Sequence, residues 1–492
     1  MADRIRFEDF MSDSDASLWL GERDPRMRST ILSIWILDRM PDEDDFEEML
    51  VESVEAIPRL RQRVVQDSYE IAPPRWELDP DFDPRFHLRR LHLGGEGTLR
   101  DLLDLAEPIA MQAFDKDRPL WELYLVEGLE RGRAGVIMKL HHAVSDGVGL
   151  VQMTDSMVET ERGARGATRR VRRHLEDLPR PDPIRERQRV RDAIEHRIDT
   201  GRSRAQRFFA GVGELLADFA RAPTRTLGRA WEMLGSIGHL LEPAQEPMSP
   251  LMRKRSTSRS LSAFCVPFAD LKRASRAAGA SINDVFVAAV AGGLRAYHAH
   301  FDMPVDELRM MMPINLRGDD EKGSRAGNQF APARLLVPVG IEEPRARIEA
   351  IRNRVLDQRD EAALPYVEDI LSVLNRLPTS VMDQLMEGIL TAVDFVTSNV
   401  PGPRDTTYTS GAKIEHMYPF GPPAGAAMNI TLFSYGGHCH IGVNSDRAAV
   451  EDPELLLECL KKGFDEVVAI ADETPTMRND SGAPPGQPAT SR

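Results

Sequence analysis

The sequence predicts an α/β protein built in layers and divided into two domains, and three observations carry that reading. Stretches with the composition and alternation of strands take turns with stretches whose apolar residues recur at helical spacing. The 492 residues are enough for two domains of about 200 residues each. A basic middle segment divides them: between Glu161 and Ser260 there are 22 Arg plus Lys against 13 Asp plus Glu, a balance of +9 that leaves −24 for the rest of a chain of net charge −15.

In the first domain, Ser29 to Leu37 reads as a strand, and Asp42 to Ala56 as an amphipathic helix closed by Pro58. Leu60 to Val65 and Trp76 to Leu78 are short extended pieces. Leu99 to Phe114 is a helix by the spacing of Leu102, Leu103, Leu105, Ile109, Ala110 and Ala113. Arg118 to Val126 is a strand introduced by a proline, and it forms a hairpin with the strand that follows Ala134.

Arg162 to Arg207, rich in arginine and broken by Pro179, Pro181 and Pro183, reads as a solvated connector. Beyond it, two apolar series at helical spacing, Phe208 to Phe219 and Leu227 to Leu241, describe amphipathic helices with basic flanks. Such helices either pack on the protein or lie on a lipid surface.

The second domain begins near Ser258. Leu261 to Pro267 is extended, and Ser281 caps a helix in which Asp284, three residues on, completes an acidic form of the capping box. Asn283 and Asp284 are therefore read as helix-end structure ahead of chemistry. Strands are expected at Leu308–Pro313, Ala333–Val339 and Asp394–Pro403, and helices at Glu343–Ala362, Leu371–Leu390 and Glu454–Asp472. Asn429–Tyr435 and His438–Asn444 make a hairpin across Gly436-Gly437. The tail from Glu473 to Arg492, rich in Pro, Gly and Ser, is expected to be disordered.

The chemistry is concentrated in one run, Gly135 to Gly149, where an apolar strand ends abruptly in His141-His142-Ala143-Val144-Ser145-Asp146-Gly147. Alternation places Val136, Met138, Leu140 and His142 on one side and Ile137, Lys139 and His141 on the other, so the two histidines have different tasks. His142 lies at the strand end beside a turn, where a rigid element fixes the imidazole and a loop leaves it reachable. An ordinary histidine titrates near pH 6.5, roughly, which suits a general base. Asp146 is placed to lock the turn. A single histidine at a strand end is more often structural, but the His-His-x-x-x-Asp-Gly pattern favours catalysis. Adjacent histidines on opposite faces are poor joint metal ligands, and no H-E-x-x-H or C-x-x-C pattern accompanies them.

Composition narrows the class further. The net charge disfavours a nucleic-acid binder. Three widely spaced cysteines, Cys265, Cys439 and Cys459, argue for a reducing compartment and against a disulfide framework or a zinc site. The N-terminus lacks the apolar core of a signal peptide, and no apolar stretch approaches the ~20 residues that span a bilayer. The expectation is a soluble, cytoplasmic protein, or at most a peripheral membrane one.

Taken together, the motifs resemble the coenzyme A-dependent acyltransferases, and most closely the bacterial bifunctional wax ester synthase/diacylglycerol acyltransferase family. The resemblance rests on the histidine run, Pro119-Leu120-Trp121-Glu122 ahead of it, Asn283-Asp284, Ser398-Asn399-Val400-Pro401-Gly402-Pro403, and Asn429-Ile430-Thr431 leading to Ser434-Tyr435-Gly436, in that order between about Asp13 and Asp472. The opening block departs from the family, reading Phe10-Met11-Ser12 where Pro-Leu-Ser is usual.

What the resemblance implies is a fold of two similar halves like chloramphenicol acetyltransferase, with a tunnel between them. Residues 1–180 would be the N-terminal half with the HHxxxDG motif, 181–257 the basic, partly amphipathic linker, 258–472 the C-terminal half and 473–492 the tail. The implied activity is transfer of a long-chain acyl group from acyl-CoA, a cosubstrate and not a resident cofactor, to the hydroxyl of diacylglycerol or of a long-chain alcohol. His142 would be the base, with Asp146 and His141 supporting it. Oxyanion candidates are Thr431, Ser434, Ser398 and Asn399, while Trp121 is read as a packed aromatic. Arg253-Lys254-Arg255 and Arg259 offer a basic site for coenzyme A phosphates, against the alternative of a solvated charge run. Two other classes stand beside this one: a carrier-protein-dependent condensation or polyketide-associated acyltransferase, and an inactive paralogue that binds lipid.

Overall fold

The structure is a computed structural model and describes residues 8–69, 71–144, 153–163, 181–200, 246–315, 330–359 and 391–472. Asp146, the two amphipathic series between 208 and 241, the helix expected at 371–390 and the tail lie outside the described residues.

Two α/β halves are each built round a six-stranded sheet. The first half contributes α1 (Asp13–Gly21), β1 (Thr30–Leu37), α2 (Glu43–Ala56), β2 (Gln62–Val65), β3 (Arg75–Leu78), α3 (Pro84–His87), β4 (Leu88–His92), α4 (Leu99–Met111), β5 (Trp121–Glu127) and β6 (Ala134–His141). The second contributes β7 (Arg259–Pro267), α5 (Phe268–Ala278), α6 (Ile282–His300), β8 (Leu308–Asn315), β9 (Phe330–Val337), α7 (Pro344–Arg359), β10 (Phe395–Pro401), β11 (Tyr408–Thr409), β12 (Ala412–Phe420), β13 (Met428–Tyr435), β14 (His438–Asp446) and α8 (Pro453–Ala469).

The first sheet runs β11-β12-β1-β6-β5-β4. β6 is central and antiparallel to both neighbours, which gives the expected β5–β6 hairpin. Its two faces enter different cores, as alternation requires. Val136, Met138 and Leu140 pack with Phe46, Met49 and Leu50 of α2, whereas Ile137 packs with Leu102, Leu103 and Ala106 of α4.

The second sheet runs β7-β14-β13-β10-β8-β9. One face carries Met428, Ile430, Leu432 and Ile441 into a core with α6 and α8, which approach closely because Gly293 and Gly463 lack side chains. Ser281 caps α6 in a full capping box with Asp284, so the Asn283-Asp284 block is helix-end structure here. The β13–β14 hairpin turns on Gly436 and Gly437 at φ +54° and +83°, left-handed angles that glycine alone adopts without strain.

Three features depart from expectation. The stretch 412–420, although it follows second-half β10, forms β12 and pairs with β1 in the first sheet. The boundary near Ser258 thus divides the chain but not the sheets. α5, a largely polar helix ended by Gly279 in the left-handed region, fills a segment with no predicted element. And within the supposed solvated connector, residues 186–200 are helical and docked on the first half. Arg189 grips Glu77 at 2.9 Å, Asp192 meets Arg75 at 2.8 Å, and His196 stacks on Phe10.

Candidate active site

β6 ends at His141, and His142–Val144 form a single 3₁₀ turn, so the break falls between the two histidines. His141 is wholly buried opposite Thr30 of β1. Its Nδ1 accepts the Ala143 N–H at 3.0 Å, so its proton sits on Nε2, which lies 3.0 Å from Glu22 Oε1. Trp19 and Phe114 close on the ring edge-on, with centroids at 5.6 and 6.0 Å. Phe114 is itself held by Lys139, whose ammonium lies 4.4 Å over the ring and donates to the Gln112 carbonyl at 2.8 Å.

Glu22, at the C-terminal cap of α1, was not among the candidates, and it organises the strand end. Its Oε1 lies 3.0 Å from His141 Nε2 and accepts the Ser29 N–H at 2.7 Å. Ser29 in turn accepts the His142 N–H on its carbonyl at 2.8 Å. Burial opposes the charge on Glu22, but the His141 imidazole and the Ser29 N–H outweigh it and hold the carboxyl below its usual range. Both histidines are thereby tied to one carboxylate, His141 by its ring and His142 through the Ser29 backbone.

His142 is half-buried, with an Nδ1 that is enclosed and has no hydrogen-bond partner among the described residues. Burial first, and then the neighbouring His141, push its pKa down to about 4. At neutral pH the imidazole is uncharged, the form that can accept a proton.

The four oxyanion candidates separate by strand face. β10 and β13 are parallel, with Ser398 beside Thr431. These two share the face that carries Val400 and Phe433 into the cluster containing Ala143 and Val144 of the histidine turn. Asn399 and Ser434 fall on the opposite parity: Asn399 is exposed, and the Ser434 hydroxyl accepts the Gly402 N–H at 3.3 Å. Thr431 is buried and donates to Asn429 Oδ1 at 2.6 Å. Trp121 is a packed aromatic, donating to the Leu60 carbonyl and stacked on His87 at 4.5 Å.

In the basic run, Arg255 is no phosphate ligand. Its guanidinium is spent on the carbonyls of Met252, Lys254, Thr391, Val393 and Gly425. Arg253 pairs with Glu246 at 3.5 Å, and Arg259 is buried beside Asp446 at 3.3 Å.

Two family models match the chain, the wax ester synthase/diacylglycerol acyltransferase catalytic domain over residues 11–286 and the C-terminal domain of the same enzymes over 326–467. The chain belongs to the wax ester synthase/diacylglycerol acyltransferase family. This family membership makes it an acyltransferase. A Mycobacterium tuberculosis protein named as a putative diacylglycerol O-acyltransferase is 37% identical over 466 residues, covering 95% of this chain and 93% of that one. A second from that organism, named as a probable diacylglycerol O-acyltransferase, is 30% identical over 443 residues, covering 87% and 91%.

Among solved structures, the family's enzyme from Marinobacter aquaeolei VT8 superposes with a TM-score of 0.59 at 20% identity, over 94% of this chain and all of that one. The first condensation domain of the calcium-dependent antibiotic synthetase superposes with a TM-score of 0.59 at 17% identity, over 94% and 96%. These likenesses establish the fold, shared by acyltransferases and condensation domains alike. No single helix among the described residues is long and apolar enough to cross a membrane.

Proposed function

We propose that the protein transfers a long-chain acyl group from acyl-CoA to the hydroxyl of diacylglycerol or of a long-chain alcohol, with His142 as general base. The observation that carries this reading is the uncharged, half-buried His142 at the end of a rigid strand, its backbone held by Ser29 and its neighbour by Glu22. An alcohol is too weak an acid to attack a thioester unaided. His142 takes the hydroxyl proton as the oxygen bonds to the acyl carbon, and the tetrahedral intermediate then expels the thiolate, which recovers that proton from the imidazolium. Ester and free thiol are the products, and no acyl-enzyme is needed. Negative charge gathers meanwhile on the thioester oxygen, and Ser398 and Thr431, on the face turned toward the histidine turn, are its candidate donors. Asp146 would brace the turn beyond Val144.

The diacylglycerol acceptor is favoured by the names of the relatives, which match along nearly the whole chain. Because donor tail and acceptor are both lipids, the reaction would run at a membrane or lipid-droplet surface, which co-sedimentation with liposomes tests. The direct test of function is release of coenzyme A thiol from palmitoyl-CoA, with diacylglycerol and hexadecanol as separate acceptors and His142→Ala alongside. Acceptor-dependent release that vanishes in the variant is expected. Release by neither acceptor, or an active variant, overturns the reading and favours a carrier-linked or inactive protein.

A further inference from the structure

The helix at 186–200, whose arginines read in the sequence as part of a solvated connector, closes on charges of the first half. β3 carries Arg75 and Glu77 on one face, and both are buried, 7% and 4% exposed. Arg189 meets both oxygens of Glu77, Nε to Oε1 at 3.0 Å and Nη2 to Oε2 at 2.9 Å, while Asp192 receives Arg75 Nη1 at 2.8 Å. A forked pair of this kind fixes direction as well as distance. Contacts near both ends complete the hold: Glu186 accepts the Ser68 hydroxyl at 2.6 Å, and Arg197 donates to the Ile71 carbonyl.

What this helix grips is the run that leads into α1. The His196 ring stacks on Phe10, with centroids 4.1 Å and planes 24° apart, and the Arg75 guanidinium lies 5.3 Å from the centre of the same ring. Residues 9–11 run antiparallel to β3, the Trp76 N–H going to the Asp9 carbonyl at 2.7 Å and the Met11 N–H to the Pro74 carbonyl at 2.8 Å. Ser12 follows and caps α1, its hydroxyl accepting the Asp15 N–H at 3.0 Å. α1 has little hold of its own, since only Ala16 and Ser17 of its nine residues are buried, so its axis is set largely at its ends.

The far end of α1 is the site. Glu22 caps it and stands 3.0 Å from His141 Nε2, and Trp19, one turn earlier, meets the His141 ring edge-on. A helix of this length is a stiff rod of about 13 Å, so a change of direction at Ser12 displaces its last turn. The grip on Phe10 reaches the histidine turn through that one rod.

We propose that His196 and its helix form a positioning brace for catalysis: stacked on Phe10, they fix the start of α1 and with it the placing of Glu22 against His141. The basic middle segment is then part of the catalytic scaffold as well as a join between the halves. The catalytic role rests on the reading of His142 as the base, but the mechanical coupling can be measured without turnover.

Hydrogen exchange of the full-length protein is followed by mass spectrometry in wild type, His196→Ala and His196→Phe. Exchange over residues 13–21 is expected to quicken about tenfold in His196→Ala, with β6 unchanged, and to return to the wild-type rate in His196→Phe, which keeps a ring for Phe10. On the same proteins, coenzyme A release is expected to show a kcat about tenfold lower in His196→Ala, KM nearly unchanged, and recovery in His196→Phe. A brace that acts through Glu22 also costs nothing further once Glu22 is gone, so His196→Ala added to Glu22→Ala is expected to leave kcat where Glu22→Ala alone puts it. If His196→Ala fails to fold, Asp192→Asn, which releases Arg75 from the same helix, takes its place, with Asp192→Glu as the rescue. Unchanged exchange in α1, an unchanged kcat, a loss that the conservative variant does not recover, or the same tenfold loss on top of Glu22→Ala overturns the proposal. A wild type in which α1 exchange depends on His196 in this way, yet which transfers no acyl group, sinks the proposed function and keeps the coupling of the brace to α1.

Discussion

Glu22 Oε1 stands 3.0 Å from His141 Nε2, and 119 residues of chain separate the two. The same oxygen takes the Ser29 N–H, so one carboxylate stands beside the ring of the first histidine and fixes the backbone that holds the second. Glu22→Ala should lower kcat by about 10- to 100-fold, since displacing a reacting group by an ångström has that scale of effect, and should leave KM nearly unchanged. Glu22→Gln keeps an oxygen that can receive both N–H groups and loses only the charge, so it should restore most of kcat. Equal kcat for wild type and Glu22→Ala would show that the carboxylate does not position the site.

The acidity of His142 gives a second expectation. A base must be unprotonated to act, and burial has pushed this imidazole down to about 4. The acid limb of kcat/KM, which reports the free enzyme, should therefore fall near pH 4 and not near the roughly 6.5 of an exposed histidine. Rates measured from pH 4 to 8 in a constant-ionic-strength buffer decide it. A limb at 6.5 that is unaffected by substrate concentration would mean that another group is the base.

Strand parity separates the oxyanion candidates. Ser398 and Thr431 turn toward the histidine cluster, and Asn399 and Ser434 turn away. Thr431 already gives its proton to Asn429, which leaves Ser398 the freer donor. Ser398→Ala should lower kcat by about 10²-fold, the usual loss for one oxyanion donor, with Thr431→Val smaller. Asn399→Ala and Ser434→Ala should stay near wild type. The reverse ranking, read from coenzyme A release, would place the oxyanion on the other face.

Acid should loosen the junction between the halves. His440 of β14 is 1% exposed and lies 3.2 Å from His416 of β12. Burial, then the neighbouring His416 and His438, push His440 down to about 3. Unfolded, it would titrate near 6.5, so below that pH the unfolded chain binds a proton that the folded protein refuses. Stability is thus complete above about pH 6.5 and is lost toward pH 3, at roughly 1.4 kcal/mol per pH unit for this group. Urea unfolding at pH 7, 6 and 5 should show this slope, and His440→Phe should flatten it. An unchanged slope in the variant would assign the acid sensitivity elsewhere.

How much of this was legible in the sequence depended on the range of the interactions. The β5–β6 hairpin, the capping box of α6 and the end of β6 at the histidines are local, written in alternation, turn residues and caps. β12 was not legible, because its alternation holds only from Ala412 to Glu415 and breaks at His416, Met417 and Tyr418 ahead of Pro419, and its partner β1 lies almost 400 residues earlier in the chain. α5 escaped because it buries only Leu271, Ala274 and Ser275. Glu22 gave no signal either: an acid at the end of a nine-residue helix is ordinary until the fold brings it to His141. The connector at 186–200 read as solvated because its arginines were counted without the acids, Glu77 among them, that receive them.

The crossing of β12 over the second sheet supplies the last test. Gly442 of β14 stands beside Thr431 of β13 and Ala263 of β7, on the face turned toward the first half. A β-carbon built on it falls far inside van der Waals contact with the Pro419 carbonyl oxygen. That obstacle is backbone, fixed in the first sheet by the pairing of Pro419 with Ser33, so no side-chain rotation relieves it. Gly442→Ala must push the halves apart, at a cost of about 3 kcal/mol or more, the upper range for an overpacked core. Because Thr431 is its cross-strand neighbour, the same shift should lower kcat, whereas the β13–β14 turn at Gly436-Gly437 should be unaffected. Chemical denaturation and coenzyme A release on the one variant measure both effects. A variant as stable as wild type would mean that β12 does not pack on β14 as closely as the structure has it, and that the halves are joined less tightly at this crossing.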